Sequence, residues 1–216
     1  MQASLRRYVP GAVAEQLSAG AELSSGEREV SVLFVDIRGY TSFSESRRAE
    51  EIFSTVNRYT ETVSQIVQRY GGSVVEFNGD GMMAVFGAPR EIAHKERAAV
   101  EAGREIVEAV GALPVEDASH GPTTLSVGVG IATGEAFVGN IQAVDRMIWS
   151  AIGNTTNLAA RLQSLTRELD ASLVIDSGTW EHAQPAAQDF ERRSGVPIRG
   201  RREAQDLYTL PLRADS

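Results

Sequence analysis

Two aspartates stand at the ends of apolar runs, where a carboxylate has no packing role to play. Asp36 closes the run in "REVSVLFVDIRGYTSFSE", and Asp80 lies in the turn of "VVEFNGDGMMAVFGAP", Val74 to Pro89. A tight hairpin needs the glycines around Asp80 and makes use of Asn78, but it needs neither Asp80 nor Glu76. Two carboxylates brought together repel, and one pKa rises unless a cation lies between them. Taken alone, each Asp also fits a turn-capping role. The residues after Asp36 add a second signal. "DIRGYTSFSE" is a glycine-containing, hydroxyl-rich loop leading to a helix start, and successive backbone N–H groups there suit phosphate oxygens. Carboxylates beside a phosphate cradle suit Mg²⁺. Two such ions activate a hydroxyl and steady a polyphosphate leaving group.

The elements that must position these groups are legible from periodicity. Arg28 to Ile37 is β-branched and apolar, with the length of a buried strand. Ile52, Val56, Tyr59, Val63, Ile66, Val67 and Tyr70 recur at helical spacing, which predicts a long amphipathic helix over 50–70. "GGSVVEFNGDGMMAVFG" reads as strand, tight turn, strand. A second helix is predicted over about 91–110, then strands in "TTLSVGVGIATGEAFVGNI" and "RMIWSAIG". "NTTNLAARLQSLTREL" is a third helix with Asn154 at its N-cap. "ASLVIDSGTW" is a strand entering a short helix, and "VPIRGRREAQDLYTL" a closing hairpin. This order predicts an α/β (α+β) fold: a ferredoxin-like split βαββαβ core with additional C-terminal strands and a helix. Residues 1–24 read as a short helix and Gly/Ser-rich linker, the end of a longer parent protein with an upstream regulatory domain. Residues 25–212 read as the compact domain.

Composition excludes several classes. With 216 residues, 42% of them hydrophobic, the chain supports one sizeable core. It has no cysteine, so neither disulfides nor thiolate metal sites arise. His94, His120 and His182 stand far apart and outside any H-E-x-x-H arrangement. A net charge of -8 argues against a nucleic-acid partner. No apolar run approaches the ~20 residues that span a bilayer, and no signal peptide is visible, so a cytoplasmic location is expected, with membrane tethering of a parent protein left open. There is no G-x-x-x-x-G-K-[ST] motif. "GVGIATG" lies between strand segments and not before a helix, unlike a dinucleotide fingerprint.

From about Glu27 to Leu210 the chain resembles the class III nucleotidyl cyclase catalytic domain. The motifs that carry the resemblance occur in the expected order: "VLFVDIRGYTSFSE", "GGSVVEFNGDGMMAVFGAP", "AIGNTTNLAARLQ" and "VPIRGRREAQDLYTL". The resemblance implies conversion of a purine nucleoside triphosphate, GTP or ATP, to its 3′,5′-cyclic monophosphate and pyrophosphate. It implies Asp36, Asp80 and the Ile37 carbonyl as ligands of two Mg²⁺ or Mn²⁺ ions per site, with the backbone through Gly39, Tyr40 and Thr41 around the phosphates. It implies Asn157 and Arg161 as the transition-state pair, and their i, i+4 spacing puts them on one helix face. Arg199, or Arg201, matches a family lysine that meets the terminal phosphates. The family's head-to-tail dimers imply a homodimer with composite sites, with "GNIQAVDRMIW" in the dimer arm.

Glu76 departs from the adenylate pattern, which carries lysine at that position, and matches guanylate-forming relatives. Guanine offers N1–H and N2–H₂ side by side to a carboxylate, whereas adenine N1 needs a donor. Ser150, the second base-reading position, donates or accepts and leaves the choice open. Glu76 therefore points to GTP, with ATP and atypical base recognition as the alternative. A catalytically silent nucleotide-binding regulatory module is the alternative of another class.

Overall fold

The computed structural model describes residues 25–115, 124–142 and 147–212. The expected helix within 1–24 lies outside them. Strand β1 (Gly26–Ile37) sends Leu33, Val35 and Ile37 into one hydrophobic core and Val30 and Val32 into a second. That is the two-residue period of a strand covered on both faces. Around it lie β2 (Ser73–Asn78), β3 (Gly81–Phe86), β4 (Val127–Gln142), β5 (Met147–Ile152), β6 (Ala171–Asp176), β7 (Glu191–Val196) and β8 (Gln205–Pro211). The sheet order is β2-β3-β1-β4-β6-β8-β7, with β5 paired to β4 off this path. Its first part, β2-β3-β1-β4 with antiparallel neighbours, is the predicted split βαββαβ core. The later strands are the predicted additions.

Five helices are described: α1 (Tyr40–Glu45), α2 (Ala49–Arg69), α3 (Lys95–Gly111), α4 (Asn154–Glu168) and α5 (Ser177–His182). Helix α2 buries Tyr59, Val63, Ile66 and Val67, and α3 buries Ala99, Val100, Ile106 and Val110, in the first core. Helix α4 buries Leu158, Ala159 and Leu162 on the opposite face, against Val30, Val32, Met83 and Val85. The molecule is thus a sheet between α2/α3 and α4, and each helix has one apolar stripe because it has one sheet to cover.

Local boundaries differ from expectation where backbone chemistry intervenes. The helix predicted from about residue 91 starts at Lys95, after His94 in a left-handed conformation. Asn154 is the first helical residue of α4, with Gly153 as N-cap. The closing hairpin takes its first strand earlier, from Glu191, and Val196 pairs with Gln205. Pro197 follows at once and has no N–H to extend the ladder, so residues 197–204 form a loop instead.

Candidate active site

Asp36 and Asp80 come together because β3 pairs with β1. Val35 lies opposite Met82, so the C-terminal end of β1 adjoins the β2–β3 turn. Gly79, at φ 65, takes the left-handed position of that two-residue turn and leaves Asp80 beside β1. The two carboxyls are thus close enough for Asp80 to act on the ionisation of Asp36. Burial first, and the Asp80 carboxyl second, push the Asp36 pKa from 3.8 up to about 7, against the opposing pull of the Ile37 backbone N–H and Arg167. The buried phenol of Tyr59, from α2, feels both carboxylates. Burial and the two nearby carboxylates hold it well above its ordinary pKa.

Asp36 Oδ1 and the Tyr59 hydroxyl are both buried with no hydrogen-bond partner among the described residues. A buried carboxylate oxygen without a partner is costly unless it is protonated or faces a cation. The donor set therefore fits a hard divalent ion. Among the described residues no group of three or more His, Asp or Glu gathers anywhere. An ion on Asp36 and Asp80, with the adjacent Ile37 carbonyl, would complete its shell from water and substrate oxygens, as Mg²⁺ does. Next to this pair, Gly39 is the left-handed N-cap of α1 at φ 66, Thr41 is exposed, and Tyr40 stacks on Phe43 at 6.3 Å.

Asn157 and Arg161 are positioned by an unusually close seat for α4. A Cβ on Gly130 would meet the Gln163 backbone nitrogen at 2.1 Å and the Ala159 carbonyl at 2.4 Å. On Gly128 it would meet Thr166 Oγ1 at 2.2 Å, and on Gly134 Thr155 Oγ1 at 2.8 Å. The glycines of "GVGIATG" thus let the helix lie close on β4, backbone to backbone at Gly130 and with threonine side chains against the strand at Gly128 and Gly134. With that face down, Asn157 and Arg161 line an opening of about 350 Å³ with Asn154, Gly200, Arg201 and Arg202. Gly200 packs directly on the Arg161 guanidinium, where a Cβ would come within 3.0 Å. Arg201 is half-buried in this lining, whereas Arg199 is exposed and does not line it.

Glu76 lies on the α4 face of the sheet because of an irregularity that alternation does not predict. The β2–β3 register shifts between Val74 and Glu76, and Glu76 then sits opposite Met83, a residue of the second core. Val75 is in that core too, so a bulge puts Val75 and Glu76 on the same side. Glu76 is exposed, and it lines a depression of about 160 Å³ with Asp36, Asn78, Met83 and Gln163. Ser150 is buried opposite Gly139, and β5 is in contact with β2, the strand of Glu76.

Residue patterns missed three neighbours of these groups. Tyr59 counted only as part of an apolar helical stripe. Gln163, two residues after Arg161, is brought over Glu76 by the glycine seat. Arg38 carries no motif of its own. Asp36 on one side, and Asn157 and Arg161 on the other, line separate openings with no residue in common.

Comparison with known proteins accounts for this constellation. Residues 24–211 match the family model described as the adenylate and guanylate cyclase catalytic domain. An uncharacterised protein of Mycobacterium tuberculosis is 36% identical over 172 residues, covering 77% of this chain and 29% of that protein. The chain therefore spans under a third of that relative's length. The crystal structure of the adenylyl cyclase CyaB from P. aeruginosa superposes with a TM-score of 0.76 at 30% identity, covering 89% of this chain and 97% of that one. The guanylyl cyclase Cya2 superposes with a TM-score of 0.69 at 28% identity, covering 86% and 92%. The match spans every element that carries Asp36, Asp80, Asn157 and Arg161, and on that ground the chain belongs to the adenylate and guanylate cyclase catalytic domain family.

Proposed function

We propose that this domain is a homodimeric, divalent-metal-dependent cyclase that converts GTP to cyclic GMP and pyrophosphate. The observation that carries the metal part is the paired Asp36 and Asp80 with a buried, partnerless Asp36 oxygen. Two Mg²⁺ or Mn²⁺ ions held there would supply charge neutralisation for the triphosphate and acidify the ribose 3′-hydroxyl. The chain's own residues do the rest. The Ile37–Thr41 backbone holds phosphate oxygens. Asn157 orients the ribose, and Arg161 meets the charge that develops on the α-phosphate. Arg199 or Arg201 holds the terminal phosphates. Of the two, Arg201 has the better support, because it shares an opening with Arg161.

The separation of the two openings supports the dimer. Asp36 is flanked by Arg167 near the C-terminal end of α4, whereas Asn157 lies ten residues before Arg167, about 15 Å of helical rise. One protomer would then contribute the metal pair, and its partner Asn157 and Arg161; that the partner also supplies Glu76 and Ser150 follows from the family resemblance alone, since Glu76 shares a depression with its own chain's Asp36.

Glu76 supports GTP over ATP. Its bulged position turns the carboxylate toward the α4 face, where the partner's triphosphate would bring the base, and a carboxylate accepts the paired N–H donors of guanine. Presenting it to adenine N1 leaves acceptor facing acceptor, at about 1–3 kcal/mol, or roughly tenfold to a hundredfold in selectivity. The test is turnover of GTP and ATP with Mg²⁺ or Mn²⁺ by wild type and Glu76→Lys. Cyclic GMP should dominate in the wild type, and the lysine variant should shift the kcat/KM ratio toward ATP. A wild type that prefers ATP, with a ratio unmoved by the substitution, removes Glu76 from base recognition. No cyclic product from either nucleotide in a verified dimer removes the activity itself.

A further inference from the structure

Arg38, two residues beyond Asp36, is half-buried, and its side-chain hydrogen bonds all go to backbone carbonyls. Its Nε donates to Val127 O at 3.2 Å, and one Nη donates to Thr166 O at 3.2 Å and to Ala171 O. Its backbone N–H donates to Ser126 O at 2.8 Å. Thr166 belongs to the last turn of α4, where a helix leaves its carbonyls without internal donors, and a cation is favoured at that end. Arg38 therefore ties four things together: the loop that follows Asp36, the start of β4, the start of β6, and the C-terminal end of the helix that carries Asn157 and Arg161. The glycine seat sets how close α4 lies to the sheet. Arg38 sets how far along the sheet the helix sits, since it grips the helix end from a fixed strand.

We propose that Arg38 is a positioning residue that acts through α4 on the active site opposite to the one served by its own chain's Asp36. This rests on the composite-site reading above. In such a dimer Asp36 of one chain serves one site, while Asn157 and Arg161 of the same chain serve the other. The Arg38 bridge then links the metal loop of the first site to the transition-state pair of the second, so a shift of either is felt across the pair.

The placement is tested in mixed dimers with one working site, made from an Asp36→Ala chain and an Arg161→Ala chain. The Asp36→Ala chain supplies Asn157 and Arg161 to that site, and the Arg161→Ala chain supplies Asp36 and Asp80. Arg38→Met added to the Asp36→Ala chain should lower kcat roughly 10–100-fold, the range expected for misplacement of a catalytic group by about 1 Å, with half-saturation by Mn²⁺ unchanged. The same change in the Arg161→Ala chain, where it loosens only the loop after that chain's own Asp36, should lower kcat clearly less. A loss that is equal in both placements, confined to the second, or absent overturns the proposal. In the Arg38→Met homodimer, amide hydrogen exchange should accelerate in α4 and not in β1 or β3, and unchanged protection of α4 equally overturns it. If Arg38→Met does not fold, Arg38→Lys, which keeps the charge but cannot span the carbonyls, takes its place in both measurements. Should the mixed dimer with native Arg38 stay inactive, the composite-site reading fails by itself, and the exchange measurement alone decides whether Arg38 holds the helix.

Discussion

Asp36 shows how a functional group destabilises the fold that holds it. Its carboxyl is raised from 3.8 to about 7 by burial and by Asp80, so the folded protein binds this proton more tightly than the unfolded chain does. The sign follows from linkage. The favourable contribution is complete below about pH 4, fades as pH rises toward 7, and is absent above it, where a metal-free protein holds two adjacent carboxylates. We expect Asp36→Asn to raise the Tm of the metal-free protein at pH 8. Discounted for solvent screening, the gain is of order 1 kcal/mol, or about 2–4 °C. Mn²⁺ should raise the Tm of the wild type and not that of the variant. Thermal unfolding at pH 5 and pH 8, in EDTA and in Mn²⁺, checks both. Equal Tm values at pH 8 in EDTA would show that the Asp36 charge carries no cost. Tyr59 reports the same field, since its buried hydroxyl feels both carboxylates.

Among the elements, α4 depends most on what lies beneath it. Its catalytic face is exposed because its other face contacts bare β4 backbone, and that contact exists only where side chains are missing. Gly130→Ala places a methyl 2.1 Å from the Gln163 nitrogen, so the helix must lift. Overpacking of this kind costs roughly 1–3 kcal/mol, and a displacement near 1 Å at Asn157 and Arg161 lowers kcat by about 100-fold. The expected result is a modest fall in Tm with a much larger fall in kcat. Gly26→Ala is the control, because nothing lies within 4 Å of a Cβ there, and it should change neither. Parallel losses at the two glycines would mean that the seat is not responsible. The β2 bulge acts in the same manner at smaller scale. One extra residue between Val74 and Glu76 changes which face of the sheet the carboxylate meets.

At the scale of the whole molecule, the proposed composite site requires a second copy of the chain. Phe77, Phe137, Ile141 and Ile152 are large, apolar and exposed on β2, β4 and β5. Such residues fit a surface that a second copy covers. Asp36→Ala and Arg161→Ala should each be inactive alone. Mixed in equal amounts with free exchange, half of the dimers are mixed and each keeps one of two sites, so about a quarter of wild-type turnover should return. Cyclic nucleotide release from the mixture, with heterodimers verified by differential tagging, is the measurement. Heterodimers without activity would exclude composite sites.

The amino-acid pattern by itself determined the strands, the long helices and the order of the split core, because a sheet covered on both faces forces a period of two and each covering helix forces a period of 3.6. It also singled out Asp36 and Asp80, because a carboxylate at the end of an apolar run has no packing reason to be there, whereas Asn157 and Arg161 followed only from the family resemblance. Pairing decided the rest. That Asp36 meets Asp80 depends on β3 lying beside β1, and that Glu76 faces α4 depends on one bulge. That "GVGIATG" is the seat of a helix, and not a ligand loop, depends on α4 returning across β4. Arg38 and Tyr59 were silent for the same reason. Their partners lie in elements far away in the chain, and a side chain's chemistry is set by what tertiary packing places against it.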